Sequence, residues 1–242
     1  MSRLCVQATW SDVPHLSAQV KKEMLEAMQP HMRDARSKGI PVMGAGAIYP
    51  VPEDTVVCAP FEIPEFWARA YGLDVGWNRT AAVWGAWDRE SDCVYAYAEH
   101  YLGQSPPSTH ASAIKRKGAW IPGAIDPASA GAGQLDGRRL REEYAAEGLN
   151  LVDADNAVEA GIHACYQRFV SGRLKIFSTC RNLISEFRIY RRNEDGKIVK
   201  ENDHALDALR YLIMTGMRVA RTDPGFEEED YSRVQRNATT GY

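Results

Sequence analysis

Three apolar runs divided by very short polar turns constrain this chain more than any other feature. Tyr71-Gly-Leu-Asp74-Val-Gly76-Trp77, Thr80-Ala-Ala-Val-Trp-Gly-Ala-Trp87 and Cys93-Val-Tyr-Ala-Tyr-Ala-Glu-His-Tyr-Leu102 are separated only by Asn78-Arg79 and by Asp88-Arg-Glu-Ser-Asp92. Aromatic and β-branched residues at this density favour strands, and connections this short join antiparallel neighbours. The expectation is a three-stranded antiparallel unit that later elements must cover. Asp74 breaks its apolar pattern. A carboxylate inside a strand is costly to bury without a partner, and Gly72 and Gly76 on either side suit close approach by backbone, ligand or metal. The bland alternative for Asp74 is hydrogen bonding to nearby amides.

Two further acids sit on apolar elements. Trp120-Ile-Pro-Gly-Ala-Ile125-Asp126-Pro127 reads as a short buried strand ending on a carboxylate, with Pro127 stopping it. Asn202-Asp203-His204-Ala-Leu-Asp207-Ala-Leu-Arg210-Tyr211 opens a strongly apolar helix with two carboxylates and an imidazole in its first two turns. Asp203 and Asp207, four apart, lie one above the other and repel unless a cation stands beside them. The alternative is that Asp203 or Asn202 caps the helix while Asp207 faces water, and that Asp126 is a turn residue. Carboxylate oxygens are hard ligands suited to Mg²⁺ or Mn²⁺. Two such ions about 3.5–4 Å apart can activate water and stabilise a leaving oxygen in phosphodiester hydrolysis.

Helices are expected over residues 17–28 (with Val20, Met24, Leu25 and Met28 on one face), 30–38, 108–117, 134–147, 157–170, 179–192 and 203–221, from apolar spacing and local caps. Residues 40–67 are proline-rich, with brief strands near Ala47-Ile-Tyr49 and Thr55-Val-Val57, and read as a linker laid over a domain. A further short apolar stretch, Leu149-Asn-Leu151, follows the 134–147 helix. Antiparallel strands followed by alternating helix and strand make an α/β fold with a mixed sheet covered on both faces.

The net charge of −3 averages unlike regions. Glu227-Glu-Glu-Asp230 lies in a tail, residues 222–242, that is acidic and expected to be disordered. Lys115-Arg116-Lys117, Arg138-Arg139 and Arg188 with Arg191 form local basic groups able to hold phosphates, although exposed helix faces are often basic without any such role. No run of about 18 apolar residues is present to suggest a membrane-spanning helix, and Met1–Gln7 lacks a signal-peptide core. Five cysteines without a C-x-x-C pair read as free thiols of a reducing cytoplasm. No G-x-x-x-x-G-K-[ST] loop for ATP occurs.

Gly72-Leu-Asp74-Val-Gly76, Ile125-Asp126-Pro127 and Asp203-His204-Ala-Leu-Asp207-Ala-Leu-Arg210-Tyr211 together resemble the three motifs of the C-terminal nuclease domain of the large terminase subunit of tailed bacteriophages. About fifty residues part the first two acids and about eighty the second and third, which fits that family, and the resemblance covers about residues 40–220. It implies a ribonuclease H-like fold over 68–221, preceded by a connecting segment over 1–67, and a metal-dependent endonuclease cleaving duplex DNA during genome packaging. Asp74, Asp126 and Asp207 would be the ligands of two Mg²⁺ or Mn²⁺ ions, with Asp203 a peripheral ligand and His204 an assisting group. Arg210 and Tyr211 would brace the helix.

The resemblance implies double-stranded DNA, a portal protein, a small terminase subunit and an ATPase domain as partners, no membrane, and action in the host cytoplasm. Members of the family carry that ATPase domain ahead of the nuclease. Here about sixty residues precede it, with Arg33-Asp-Ala-Arg-Ser-Lys-Gly-Ile-Pro41 resembling the joining segment, so the motor is expected either on another chain or lost by truncation. The same acids would serve a junction resolvase or an RNA–DNA hybrid nuclease. A module that only docks DNA or a portal would carry them without catalysis.

Overall fold

A computed structural model describes Trp10 and residues 16–27, 46–130 and 140–225. The expected helix over 30–38, the first part of that over 134–147, and the acidic tail from 226 lie outside the described residues. Two compact units emerge, one from the described residues up to Pro52 with Phe187–Val199, the other from Glu53–Glu186 and from Lys200 onward.

In the smaller unit, helix α1 spans Ala18–Ala27. Val20, expected on its apolar face, is 40% exposed. Tyr49 stacks on Phe187 and leans on Tyr190, and the expected strand near Ala47 is a single bridge to Arg191.

The larger unit is built on a seven-stranded sheet in the order β1-β7-β4-β3-β2-β5-β6. Its strands are β1 Val57–Cys58, β2 Ala68–Asp74, β3 Thr80–Asp88, β4 Cys93–Leu102, β5 Gly123–Ile125, β6 Leu151–Asp153 and β7 Leu174–Phe177. The three expected strands pair antiparallel as β2–β3–β4, with a register shift between Trp84 and Gly85. The flanking pairs β2–β5, β5–β6, β4–β7 and β7–β1 are parallel. Thr55 and Val56 belong to the helical turn α2 (Glu53–Val56), so the expected strand at Thr55 begins at Val57 instead. That strand lies ahead of residue 68 yet forms the edge of the sheet.

Side chains alternate across β2, and the two faces meet different helices. Tyr71 and Leu73 pack with Ala111 and Ile114 of α3 (Pro107–Lys115) and Tyr144 of α4 (Leu140–Ala146). Gly72 faces the other way, onto Ala208 of α7 (His204–Tyr211) and the π-helical turn Leu212–Gly216 that follows it. Helices α5 (Val158–Val170) and α6 (Arg181–Ile189) precede α7, and α8 (Met217–Val219) ends the described helical run. The helix expected over 203–221 is thus interrupted by the π turn and stops at Val219, after which Arg221 bridges to Arg69.

One partly buried pair of imidazoles sets a pH dependence. His110 Nε2 lies 3.2 Å from the carbonyl of Ser105, which can only accept, so Nε2 carries the proton and Nδ1 accepts from His100 Nε2 at 2.8 Å. Burial pushes His100 down to about 4, with His110 and Arg116 adding to the effect, and lowers His110 as well. An unfolded histidine protonates near 6.5, so between 6.5 and about 4 the unfolded chain binds protons that the folded one refuses. The contribution of this pair to stability is expected to fall as pH drops through that window. Urea unfolding at pH 7.5 and 5 should show this drop, and His100→Asn should shrink it; an unchanged drop in the variant would remove His100 as its source.

Candidate metal and phosphodiester site

Asp74 is the last residue of β2, and Asp126 follows the last residue of β5. The parallel register pairs Leu73 with Ile125, and Asp126 N donates to Leu73 O at 3.0 Å, so both acids leave neighbouring strands at their carboxyl ends. Ligands of α/β sheets gather at such ends. Asp126 Oδ1 also accepts from Ala128 N at 3.0 Å, and its carbonyl accepts from Ser129 N at 3.0 Å, which fixes the turn expected at Pro127.

Helix α7 brings the other acids over β2. A Cβ on Gly72 would stand 1.8 Å from Ala208 O, so only glycine admits the helix this close. The close approach expected at this glycine is therefore made by backbone. Asp203 occupies the N-cap position, but its side chain makes no capping hydrogen bond. Glu186 of α6 supplies the cap, its Oε2 accepting Ala205 N at 2.7 Å and Leu206 N at 3.1 Å. Asp207 does not face water freely: its Oδ1 accepts from Arg210 at 3.1 Å and 3.2 Å. Arg210 is 2% exposed and reaches Asn156 Oδ1 at 3.2 Å, so it braces α7 from within. Tyr211 OH donates to the same Asn156 oxygen at 3.4 Å.

The acids form one electrostatic neighbourhood. Burial raises the carboxyl of Asp74 above its usual range, and the charges of Asp207 and Asp126 push the same way against the hydrogen bond from His204. That bond joins His204 Nδ1 to Asp74 Oδ2 at 2.9 Å and raises the imidazole in turn. The Tyr211 hydroxyl is raised by burial first, and then by Asp126, Asp207 and Asp74 together. Lys200 Nζ lies 3.6 Å from Asp203 Oδ2 and 3.8 Å from Asp207 Oδ2.

Among the described residues, no three Asp, Glu, His or Cys side chains stand close enough to hold an ion as placed. The donor chemistry nevertheless fits a hard divalent cation. Three carboxylates share one neighbourhood, Lys200, His204 and Arg210 offset their charge, and buried Asp203 Oδ2 has no hydrogen-bond partner. Sequence reasoning missed Lys200, Asn156 and Glu186. None belongs to a spaced motif, and only their contacts across the fold reveal them.

The basic groups are dispersed. Lys115 Nζ donates to Glu147 O at 2.8 Å, which ties α3 to the end of α4. Arg116 is exposed and lines a cleft of about 420 Å³ with His100 and Ser108, and Lys117 is exposed nearby. Arg188 and Arg191 are exposed on the smaller unit, while Arg138 and Arg139 lie outside the described residues. Trp77, just past Asp74, is 69% exposed. Cys58, Cys93 and Cys180 are free thiols. Among the described residues, no helix is long and apolar enough to cross a membrane.

Residues 71–215 match the family described as Terminase RNaseH-like domain. The chain is 34% identical over 227 residues to the large terminase subunit of Enterobacteria phage LP7, and 34% identical over 223 residues to that of Salmonella phage P22. These alignments take in 90% and 88% of this chain, but 47% and 44% of those proteins, so the chain spans about half the length of the curated relatives it matches. The solved nuclease domain of the P22 large terminase superposes with a TM-score of 0.68 at 34% identity, covering 75% of this chain and 97% of that one. The fold is therefore ribonuclease H-like. Nuclease structures of the large terminase from thermophilic phage G20c, which share the fold at 14–15% identity with a TM-score of 0.53, were solved with bound cobalt and with bound magnesium. Each alignment covers 72% of this chain and 99% of the G20c chain.

Proposed function

Because the chain belongs to the terminase ribonuclease H-like domain family, we propose that it is the nuclease part of a tailed-phage large terminase subunit, cleaving duplex DNA during genome packaging. What supports this reading is that Asp74 and Asp126 leave the adjacent carboxyl ends of β2 and β5, while α7, which carries Asp207, packs backbone to backbone on β2 at Gly72. Asp74, Asp126 and Asp207 would hold two Mg²⁺ or Mn²⁺ ions, with Asp203 a peripheral ligand, and the ions would supply activation of water and stabilisation of the leaving 3′ oxygen.

The protein's own groups do the placing. Arg210 holds one oxygen of Asp207 and leaves the other turned toward Lys200. His204 holds Asp74 through Nδ1, an imidazole able to accept or return a proton near neutral pH. Lys200 offsets the charge of Asp203 and Asp207. Arg116 and Lys117, with Lys115, Arg138, Arg139, Arg188 and Arg191 as further candidates, would contact DNA phosphates. Residues 68–221 would form the nuclease body, with Val57–Cys58 adding its edge strand. An ATPase domain, a portal protein and a small terminase subunit would be its partners in the host cytoplasm.

Supercoiled plasmid incubated with Mn²⁺, Mg²⁺ or EDTA tests the reading. Nicking and linearisation with metal, abolished by EDTA and by Asp74→Asn in a folded variant, are expected. Absence of cleavage with either ion would leave a docking module, and cleavage confined to branched or hybrid substrates would leave a different ribonuclease H-like enzyme.

A further inference from the structure

Glu186 stands outside every sequence motif and is 2% exposed, yet it is a carboxylate with both oxygens engaged. Oε2 accepts two N–H groups of the first turn of α7, from Ala205 at 2.7 Å and Leu206 at 3.1 Å. Oε1 accepts the Tyr101 hydroxyl at 2.6 Å, and the guanidinium of Arg79, from the β2–β3 turn, lies 4.6 Å from the Tyr101 ring centroid. An anion at a helix N-terminus is favourable, and donors there need acceptors.

The usual acceptor would be the N-cap residue itself. Here that residue is Asp203, a good capping type, and it does not cap. Its Oδ2 is buried without a hydrogen-bond partner, 3.6 Å from the Lys200 ammonium. A remote carboxylate has taken the capping task and left the local one unspent. Asp207 N donates to Asp203 O at 2.7 Å, so the turn held by Glu186 contains both acids.

We propose that Glu186, backed by Tyr101, is a positioning residue that holds the first turn of α7 so that Asp203 and Asp207 are directed at a divalent ion rather than at their own helix. This inference rests on the metal-dependent reading above. Two hydrogen bonds accepted by one carboxylate from successive amides resist both rotation and sliding of the helix, and the Tyr101 hydroxyl ties that carboxylate to the carboxyl end of β4. Groups that orient metal ligands without touching the ion typically change metal affinity about ten- to a hundredfold when removed.

The test is Mn²⁺ binding by calorimetry on the full chain, alongside melting temperature in EDTA. Glu186→Ala is expected to weaken Mn²⁺ binding about tenfold or more, and Tyr101→Phe about threefold. Glu186→Gln, whose carbonyl can still accept both amides, is expected to bind within about threefold of wild type. Unchanged Mn²⁺ affinity in Glu186→Ala would overturn the proposal, even with a lowered melting temperature, because the clamp would then only support the fold. Should Glu186→Ala fail to fold, unchanged affinity in Tyr101→Phe overturns it equally. A wild-type chain that binds no Mn²⁺ would instead sink the metal-dependent reading, and the clamp's role with it.

Discussion

Asp207→Ala is expected to abolish cleavage and also to destabilise the protein by about 3 kcal/mol or more, whereas Asp207→Asn should abolish cleavage at a much smaller structural cost. The difference lies in Arg210. Its guanidinium is 2% exposed, its Nε and one terminal nitrogen donate to Asp207 Oδ1, and its other terminal nitrogen has no partner. Alanine would leave a buried cation with only the Asn156 oxygen and the face of Tyr211 against it. Removing one member of a buried pair typically costs about 3–5 kcal/mol for this reason. Asparagine keeps a carbonyl in place of Oδ1 and so keeps acceptors for Arg210, losing the charge-assisted part, about 1–2 kcal/mol. Both substitutions remove a carboxylate from the proposed metal site, and a loss of about a thousandfold in cleavage, about 4 kcal/mol at the barrier, is expected. Urea unfolding and plasmid nicking on the same preparations separate the two roles. An Asn variant that cleaves like wild type would remove Asp207 from the site, and an Ala variant of wild-type stability would show that Arg210 does not need it.

The parts of this fold legible in the sequence are those fixed by neighbours along the chain. Apolar runs divided by short turns announce β2, β3 and β4, and Pro127 marks the end of β5. Asp74, Asp126 and Asp207 stand out because each is a charge planted on an apolar element, and Asp74 and Asp126 lie at the carboxyl ends of neighbouring strands. What escaped depends on contacts made across the fold. β7, Leu174–Phe177, is four residues long and gains its identity only by lying parallel between β4 and β1. Glu186 looks like one more polar position on an amphipathic helix until α7 is laid against it, and Lys200 has no period linking it to Asp207. Asp203 has the residue type and place of a cap, yet the Glu186 carboxylate accepts the amides it would hold.

Gly72→Ala should be the most damaging methyl group that can be added to this chain's sheet. The β-carbon would lie 1.8 Å from Ala208 O, 2.7 Å from Leu212 N and 2.9 Å from Ala208 C, all backbone atoms of the helical run that carries Asp207. Side chains can rotate away from an intruding methyl, but a helix backbone has to move as a whole, and overpacking that typically costs about 1–3 kcal/mol is expected to exceed that range here. Gly85→Ala provides the control on the neighbouring strand. Its β-carbon would meet Leu212 Cδ2 at 2.7 Å and Val94 Cγ1 at 3.2 Å, the ends of side chains, so about 1–2 kcal/mol is expected. Circular dichroism with urea unfolding should therefore rank Gly72→Ala well below Gly85→Ala, with the former expected to fold poorly if at all. If Gly72→Ala does fold, α7 must have lifted from β2, which would lengthen the 2.9 Å contact between His204 and Asp74 and draw Asp207 away from Asp126. Cleavage should then be lost while Gly85→Ala retains it. A Gly72→Ala protein that is stable and fully active would mean that the packing of α7 on β2 does not set the geometry of the site.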